Sequence, residues 1–558
     1  MTQRIRLGTS LLAFLLGAPA TAFAQDATPP VAQPPESQPQ PDPAPAPPAE
    51  PPLPVSDPVA PDASVDSSGL AKDGHPMAGW HNGLFYLRDY NDNFRLHVQG
   101  RAQVDMYNYM GPGVGDTTLK STIFLRRIRP EITGEILHDW SFMIAGDFGA
   151  TGLDNPKGSN TETSAAAPGA APSATSGKYA GAQTGKVSAA ATDVFLNYRA
   201  HPLANVQVGQ FDAPFTMENR TSDKYIQFME RSLAVRAVGI PTNKEIGAMV
   251  WGEMPSKLWF YSVALFNGDG QNKLNVDGRG DLMLRTFVHP LASGSAPLKD
   301  LQVGASFRYG SRDSKFSNYD YAGMSTQGNY TFWSPTYTGS NGATHILPSG
   351  DQLGVAGELR VPISMFDLTS EIVYVKNNTR EALEGYQSTN TERFGDMKGY
   401  SYYAQLGFWP IGKRDINGLP GYENPSHVDF SKPDSATPAR ALQLLVKWEQ
   451  LRMTYSSASR IGVADTKNID GDINVDALSL GANYWFTKHV RLSANYVVNM
   501  FPDSAPTKAT AKDGSGPVQT SGQRALAPGN TLGTGVNDDA RNSAHILHEL
   551  LYRVAVAL

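Results

Sequence analysis

From Phe94 onward the chain repeatedly alternates apolar and polar residues with a period of two. Phe94, Leu96, Val98, Gly100, Ala102, Val104 and Met106 share one face of an extended segment, and Arg95, His97, Gln99, Arg101, Gln103, Asp105 and Tyr107 share the other. The pattern returns at Leu478, Leu480, Ala482, Tyr484 and Phe486. After Thr487-Lys488-His489 it resumes at Val490, Leu492, Ala494, Tyr496 and Val498, and it recurs last at Leu550, Tyr552, Val554, Val556 and Leu558. Such alternation marks β-strands with one apolar and one polar face. Over the whole chain it predicts sixteen strands, near 94–110, 121–137, 140–149, 191–200, 205–212, 245–254, 258–266, 281–289, 301–310, 352–361, 367–377, 398–409, 440–455, 477–486, 490–500 and 545–558.

A soluble β-sandwich also alternates, so the connections decide. His138-Asp139, His201-Pro202-Leu203, Pro255-Ser256-Lys257 and Thr487-Lys488-His489 are short, whereas 150–190, 212–244, 311–351 and 501–544 are long and mostly polar. Short turns on one side and long loops on the other, with an even strand number, predict an all-β transmembrane antiparallel barrel of about sixteen strands in the outer membrane of a Gram-negative bacterium. The connection 410–439 breaks the rule, being long where a short turn is due. Tyr107, Tyr109, Trp140, Phe266, Tyr309, Tyr374, Trp409 and Trp485 lie near strand ends and suit interfacial aromatic girdles. The mean hydropathy of −0.33 suggests a soluble protein. A barrel that meets lipid with every second residue and has a polar interior escapes that inference.

Composition changes abruptly before the strands. Residues 1–24 carry Arg4 and Arg6, an apolar stretch from Leu11 to Leu16, and Ala22-Phe23-Ala24, the pattern of a secretory signal peptide cleaved after Ala24. In the next segment, 25–75, fifteen of the forty prolines fall between Pro29 and Pro61, which predicts a disordered, partly polyproline-II periplasmic spacer in reach of the cell wall. The barrel domain is expected over 76–558. The formal charge of the chain is −6, but the eight acids and one lysine between Asp26 and Asp73 contribute −7 and the leader +2, leaving −1 for the body. That balance argues against nucleic acid as a partner. The absence of cysteine removes disulfides and thiolate chemistry.

Catalytic motifs are missing: there is no nucleophile elbow, P-loop or zincin pattern, and His548-Glu549 lacks the second histidine of HExxH. No catalytic residue, cofactor or metal is therefore assigned. Asp470, Asp472, Asn474 and Asp476 have the spacing of a calcium loop, yet Val475 replaces the required glycine and Gly481 stands where an acid is needed, so a solvated loop is preferred.

The informative residues are basic and on the face turned away from lipid. Phe124, Ile128 and Ile132 point outward, which places Arg127, Arg129, Glu131 and Glu135 in the lumen. Arg126 is out of phase and requires a bulge or a position beyond the apolar band, since a lipid-facing guanidinium at the midplane costs about 2–4 kcal/mol. The same phasing puts Arg95, Arg101, Arg199, Arg285, Arg308, Arg360, Lys447 and Arg491 inside, against the fewer acids Asp105, Glu131, Glu135, Glu358, Glu371 and Glu449. An excess of lumenal guanidinium suggests anion selectivity. The alternative is that these residues pair with the acids as struts. Arg220, Lys224, Arg231, Arg236 and Lys244 concentrate in the connection 212–244 beside Phe215, Tyr225 and Phe228, a composition that suits a loop folded into the barrel or one on the outer surface.

Phe124-Leu125-Arg126-Arg127-Ile128-Arg129, Val208-Gly209-Gln210-Phe211-Asp212-Ala213-Pro214-Phe215, Phe228-Met229-Glu230-Arg231-Ser232 and Ala264-Leu265-Phe266-Asn267-Gly268-Asp269-Gly270 resemble the phosphate-selective porin O/P family. The resemblance covers nearly all of 94–558. It implies a sixteen-stranded barrel, usually a homotrimer, set in outer-membrane lipid and lipopolysaccharide, with a third loop folded inward and an arginine ladder that draws in phosphate. It favours Arg127 and Arg129 as ladder members and Arg220, Lys224 and Arg231 as residues near the constriction. Three features depart from the family: Leu558 in place of a final aromatic, the Pro-rich spacer, and the long small-residue loops 150–190 and 501–544. The expectation is a passive porin for small anions. The other readings are a general-diffusion or neutral-solute porin, and an envelope tether acting through the spacer.

Overall fold

A computed structural model of the chain describes residues 69–81, 83–111, 121–149, 189–240, 243–294, 298–313, 321–333, 335–339, 342–383, 391–417, 430, 440–459, 469–501 and 546–557. The signal peptide, most of the Pro-rich segment, 150–188 and 502–545 lie outside the described residues.

Strands β1 (Ala78–His81) and β2 (Leu84–Arg88) form a small hairpin. The barrel begins with β3 (Phe94–Met110), β4 (Thr122–Ile136), β5 (Trp140–Asp147), β6 (Ala190–His201), β7 (Ala204–Asp212), β8 (Lys244–Glu253), β9 (Trp259–Phe266), β10 (Asp281–Val288) and β11 (Gln302–Arg312). Three short strands follow within one connection, β12 (Met324–Ser325), β13 (Thr331–Trp333) and β14 (Thr336–Gly339). The barrel resumes with β15 (Gly342–Ile363), β16 (Phe366–Leu383), β17 (Thr391–Ile411), β18 (Ala441–Ser459), β19 (Ile469–Thr487), β20 (Val490–Met500) and β21 (Ile546–Ala557). Neighbours are antiparallel, and β21 pairs with β3 from His548 opposite Met110 to Ala557 opposite Arg101, which closes a sixteen-stranded barrel. All sixteen expected strands are present. β15 to β17 and β19 extend well past their expected ends toward the long loops.

Closure pairs both edges of each of the sixteen barrel strands, as a lipid environment requires. The outward positions form an apolar surface that includes Val104, Ile123, Leu125, Ile144, Val208, Leu265, Val355, Ile372, Leu480 and Val554, all exposed. Near the short turns, Trp140 packs on Tyr198, Trp259 on Tyr261, Phe366 on Phe408 and Tyr484 on Phe486, giving that rim an aromatic belt. Trp140, Tyr309 and Tyr374 are exposed as expected for a girdle. Tyr107, Phe266, Trp409 and Trp485 are not: strand parity turns them inward, where each is almost fully buried. Tyr109 also leaves the belt, because its hydroxyl donates to the Gly328 carbonyl inside the barrel at 2.5 Å.

Two further expectations change. Asp470, Asp472, Asn474 and Asp476 lie in β19 rather than in a loop; their alternate spacing is the strand period, and Asp476 pairs with Arg452 at 2.8 Å. The interior is also not uniformly polar. Toward the long loops, Val373, Val375, Leu451, Met453, Ile473 and Val475 build an inward apolar wall.

The long connection between β17 and β18 does sit at the short-turn end, and its Phe430 meets the N-terminal hairpin. The Arg88 guanidinium lies 4.4 Å from the ring centroid, and Tyr86 meets the ring edge to face at 5.1 Å. Arg88 is fixed by Asp73, whose Oδ1 and Oδ2 accept its two Nη groups at 2.6 and 2.7 Å.

Candidate functional site

The connection from Ala213 to Asn243 enters the lumen, and the reason is visible residue by residue. Phe215, Met217, Ile226, Phe228, Met229, Leu233, Val235, Val238 and Ile240 are too apolar to cover with water and are all buried inside the barrel. The path starts at Gly209 on β7, where a side chain would meet the Val194 carbonyl at 2.2 Å, so only glycine fits. At Thr216 the backbone turns with φ of 69°, an unfavourable value for a β-branched residue, and is held by the Ser306 hydroxyl accepting Thr216 N–H at 3.1 Å.

Carboxylates on the far wall pin the loop through its backbone. Glu371 on β16 accepts the N–H groups of Met217 and Glu218 at 2.5 and 3.0 Å, and Glu449 on β18 accepts that of Leu233 at 2.7 Å. Leu233–Arg236 is one turn of helix, and Glu218 also accepts from the Ser232 N–H that precedes it, at 2.8 Å. Free N–H groups at a helix start favour such anionic partners. On β20 and β21, Arg491 donates to the Ile226 carbonyl at 3.1 Å and Arg553 donates to the Met229 carbonyl.

The near wall is where charge concentrates. Asp223 of the loop lies 2.6 Å from Arg231, 2.7 Å from Arg129, 3.1 Å from Arg127 and 3.6 Å from Arg101. Glu230 lies 3.0 Å from Arg126, 3.3 Å from Arg127 and 2.8 Å from Arg553. Burial alone would raise the carboxyl of Asp223, but Arg127, Arg231, Arg129 and Arg101 outweigh it and hold it well below the usual carboxylate range. Glu230 behaves likewise under Arg126, Arg127 and Arg553. Arg126 reaches this cluster through a bulge: Gln103 pairs with Arg127 and Val104 with Leu125, leaving Arg126 as the extra residue, so two consecutive guanidinium groups turn inward.

A second segment, Tyr321–Trp333, also folds inside. Tyr321, Met324, Tyr330, Phe332 and Trp333 are buried against the apolar wall. Arg236 ties it to the first loop, donating to the Thr326 carbonyl through Nη1 and to the Arg231 carbonyl through Nε, both at 2.6 Å.

A model of the family "phosphate-selective porin O and P" matches residues 96–518. The chain belongs to this family. It is 21% identical over 421 residues to Porin O of Pseudomonas aeruginosa, an alignment covering 72% of this chain and 82% of that protein. Among solved structures, outer-membrane expressed OmpT of Vibrio cholerae shares 10% identity at a TM-score of 0.42, covering 85% of this chain and all of that one. The anion-selective porin from Comamonas acidovorans shares 9% at 0.39, covering 83% and 100%. By this family membership the chain is an outer-membrane porin of a Gram-negative bacterium.

Within this porin, Arg101, Arg127, Arg129, Arg220, Lys224 and Arg231 gather around the inward loop, with Lys224 on Glu131 at 2.6 Å and Arg220 on the Asp212 carbonyl at 2.5 Å. Arg95 lies apart, near the short turns beside Asp92 and Glu135. Arg308 is held with Arg312 on Asp281, and Arg360 faces Asp367. Lys244 is the first residue of β8 and bridges Asp193 and Asp212 at 2.7 and 2.8 Å, so it belongs to the wall and not to the loop. Lumenal acids are also more numerous than strand phasing suggested. Asp147, Asp193, Asp212, Asp281, Asp367, Glu381 and Glu549 face inward as well; only Glu381 lies outside the expected strands, and the other six lie within them. Sequence reasoning missed Arg312 and Arg393, which lie past the expected strand ends, and Arg553, which lies within the last expected strand on its polar face.

Proposed function

We propose that this porin conducts small anions, phosphate among them, past the arginine cluster formed by β3, β4 and the inward loop, as a homotrimer in lipid and lipopolysaccharide. The observation that carries this reading is the ratio of charge at the cluster. Arg101, Arg126, Arg127, Arg129, Lys224, Arg231 and Arg553 are seven cations, and they share five acids, Asp105, Glu131, Asp147, Asp223 and Glu230. Guanidinium groups in a confined, partly dehydrated passage act on anions more strongly than in water, and the forked geometry suits phosphate or carboxylate oxygens. Arg236 and Arg220 add positive charge held on carbonyl groups. Reversal potentials of single channels in asymmetric KCl test this: chloride preference, with phosphate interrupting the chloride current at low concentration, is expected. Cation preference overturns it. Cross-linking of the purified protein should give a trimer band.

One observation favours a general-diffusion porin instead. Away from the cluster the inward bases are matched by acids, as in Arg285 with Glu358 at 2.9 Å and Arg393 with Glu381 at 2.6 Å, so those residues act as struts. Rapid liposome swelling in uncharged sugars, with no block by phosphate, would select this reading.

A further inference from the structure

Below the inward loop, toward the short turns, a cavity opens between the loop and β15 to β17, walled by Tyr225, Arg360, Asp367, Thr369, Gln405 and Trp409. The arginine cluster shares the loop with it but takes its wall from β3, β4 and β21, none of which lines this cavity. Four of its buried polar atoms lack a hydrogen-bond partner among the described residues: Arg360 Nε, Asp367 Oδ1, Thr369 Oγ1 and Trp409 Nε1. All four residues are more than nine-tenths buried. A buried polar atom without a partner is unfavourable, and several on residues lining one cavity point to a missing ligand.

The chemistry of these atoms is specific. Arg360 and Trp409 only donate, and Thr369 donates or accepts, so together they suit the two oxygens of a carboxylate. Asp367 only accepts and suits a donor beside that carboxylate. The Arg360–Asp367 pair is loose, with Nε 3.4 Å from Oδ1 and Nη2 donating to Oδ2 at 3.4 Å, whereas Arg308 closes on Asp281 at 2.7 Å. A ligand carrying a carboxylate beside a hydrogen-bond donor could enter such a pair without leaving either member alone. The indole of Trp409 is fixed by stacking on Trp485 at 5.2 Å, which sets the aim of Nε1, and with Tyr225 it offers an aromatic wall to an apolar body.

We propose that this cavity is a second solute station, taking a small organic carboxylate with a hydrogen-bond donor on the adjacent carbon and an apolar side group, the chemistry shared by α-amino and α-hydroxy acids. Its carboxylate meets Arg360, Thr369 and Trp409, and its ammonium or hydroxyl meets Asp367. The inference rests on the porin reading but not on phosphate as the solute.

The test uses the full-length protein in planar bilayers. Chloride currents are recorded with phenylalanine, phenyllactate, hydrocinnamate or phosphate on both sides. Phenylalanine and phenyllactate should interrupt the current at concentrations about tenfold below hydrocinnamate, which has the carboxylate and ring but no adjacent donor. Stronger block by phenylalanine identifies amino acids, and stronger block by phenyllactate identifies hydroxy acids. Trp409→Phe keeps the stacking ring and removes Nε1, and Thr369→Val removes Oγ1. Each should weaken block by these two solutes several-fold and leave block by phosphate unchanged. Equal block by all three organic acids, no block by any, or an unchanged response in both variants overturns the station. A channel that prefers cations would overturn the anion reading separately, because the station's ligands are compared with one another.

Discussion

The two segments that enter this barrel are held by opposite means. Ala213–Asn243 is tied by charge: two of its three carboxylates, Asp223 and Glu230, draw six arginines from the loop and the wall, and Glu371 and Glu449 accept its backbone from the other side. Tyr321–Trp333 is tied mainly by apolar burial against Val373, Val375, Leu451 and Met453. The difference separates two tasks within one lumen. A loop that presents charge to a solute must be fixed without neutralising that charge, and an arginine cluster with fewer acids than bases does this. A loop that only fills space is fixed most simply by removing apolar surface from water, at about 25 cal/mol per Å².

Breaking the charged anchor should have the largest effect. Asp223→Asn leaves four guanidinium groups around a neutral amide, and losing one partner of a buried ionic network costs about 3–5 kcal/mol. The expected outcome is a lower urea midpoint for barrel unfolding together with a reversal potential moved further toward chloride. Acid should not imitate the mutation over the ordinary range. The folded-state pKa of Asp223 is depressed, so its stabilising contribution is present above the unfolded carboxylate value of about 4 and is lost only as pH falls through the much lower folded value. Chloride selectivity should therefore hold from neutral pH down to about 4.

Breaking the apolar anchor should come next and should look different. Met324 is fully buried, and Met324→Ala in a packed core costs about 2–5 kcal/mol. Conductance should rise as the second segment loosens, and the reversal potential should stay where it is. A shift in selectivity as large as that of Asp223→Asn would show that the two segments do not divide the work. Arg236 is the bridge between them, and Arg236→Lys keeps the charge but loses the fork that reaches the Arg231 and Thr326 carbonyls. An effect of about 1–3 kcal/mol is expected, seen as earlier proteolytic cleavage near Thr326 with chloride preference retained.

How far each segment could be read beforehand follows from the same contrast. Alternation located all sixteen strands, because lipid outside and a packed lumen inside impose period two on every one of them. The out-of-phase Arg126 left a bulge or a position beyond the apolar band open, and the register decides for the bulge, since no regular strand could carry both Arg126 and Arg127 inward. The first loop was conspicuous by its bases and aromatics, although inward and outward positions were both open to it until Glu371 and Glu449 were seen to hold its backbone. The second segment gave no such signal: Tyr321–Trp333 has aromatics but no base to mark it, and the apolar wall that receives them comes from the upper ends of β16, β18 and β19. The acids that balance the struts were undercounted for a related reason. Asp147, Asp281 and Glu381 sit near strand ends, where loop and lumen look alike in sequence.

The smallest effect expected belongs to a third charged anchor, exposed where Asp223 is buried. Asp73 holds Arg88 of the N-terminal hairpin at 2.6 Å, yet its side chain is 44% exposed. Arg88 is buried but the carboxylate it meets is half open to water, and screening there keeps the contribution of the pair to about 1 kcal/mol. The carboxyl is nonetheless held down to about 2, first by the hydrogen bonds from Arg88. The pair is therefore fully present above about 3.8, the ordinary value for this group, and weakens as pH falls through about 2. Asp73→Asn should shift the unfolding midpoint slightly, and only above that window, with conductance and selectivity unchanged. A loss as large as that of Asp223→Asn would mean that the hairpin, with Phe430 against Arg88, stabilises the barrel far more than its exposure implies.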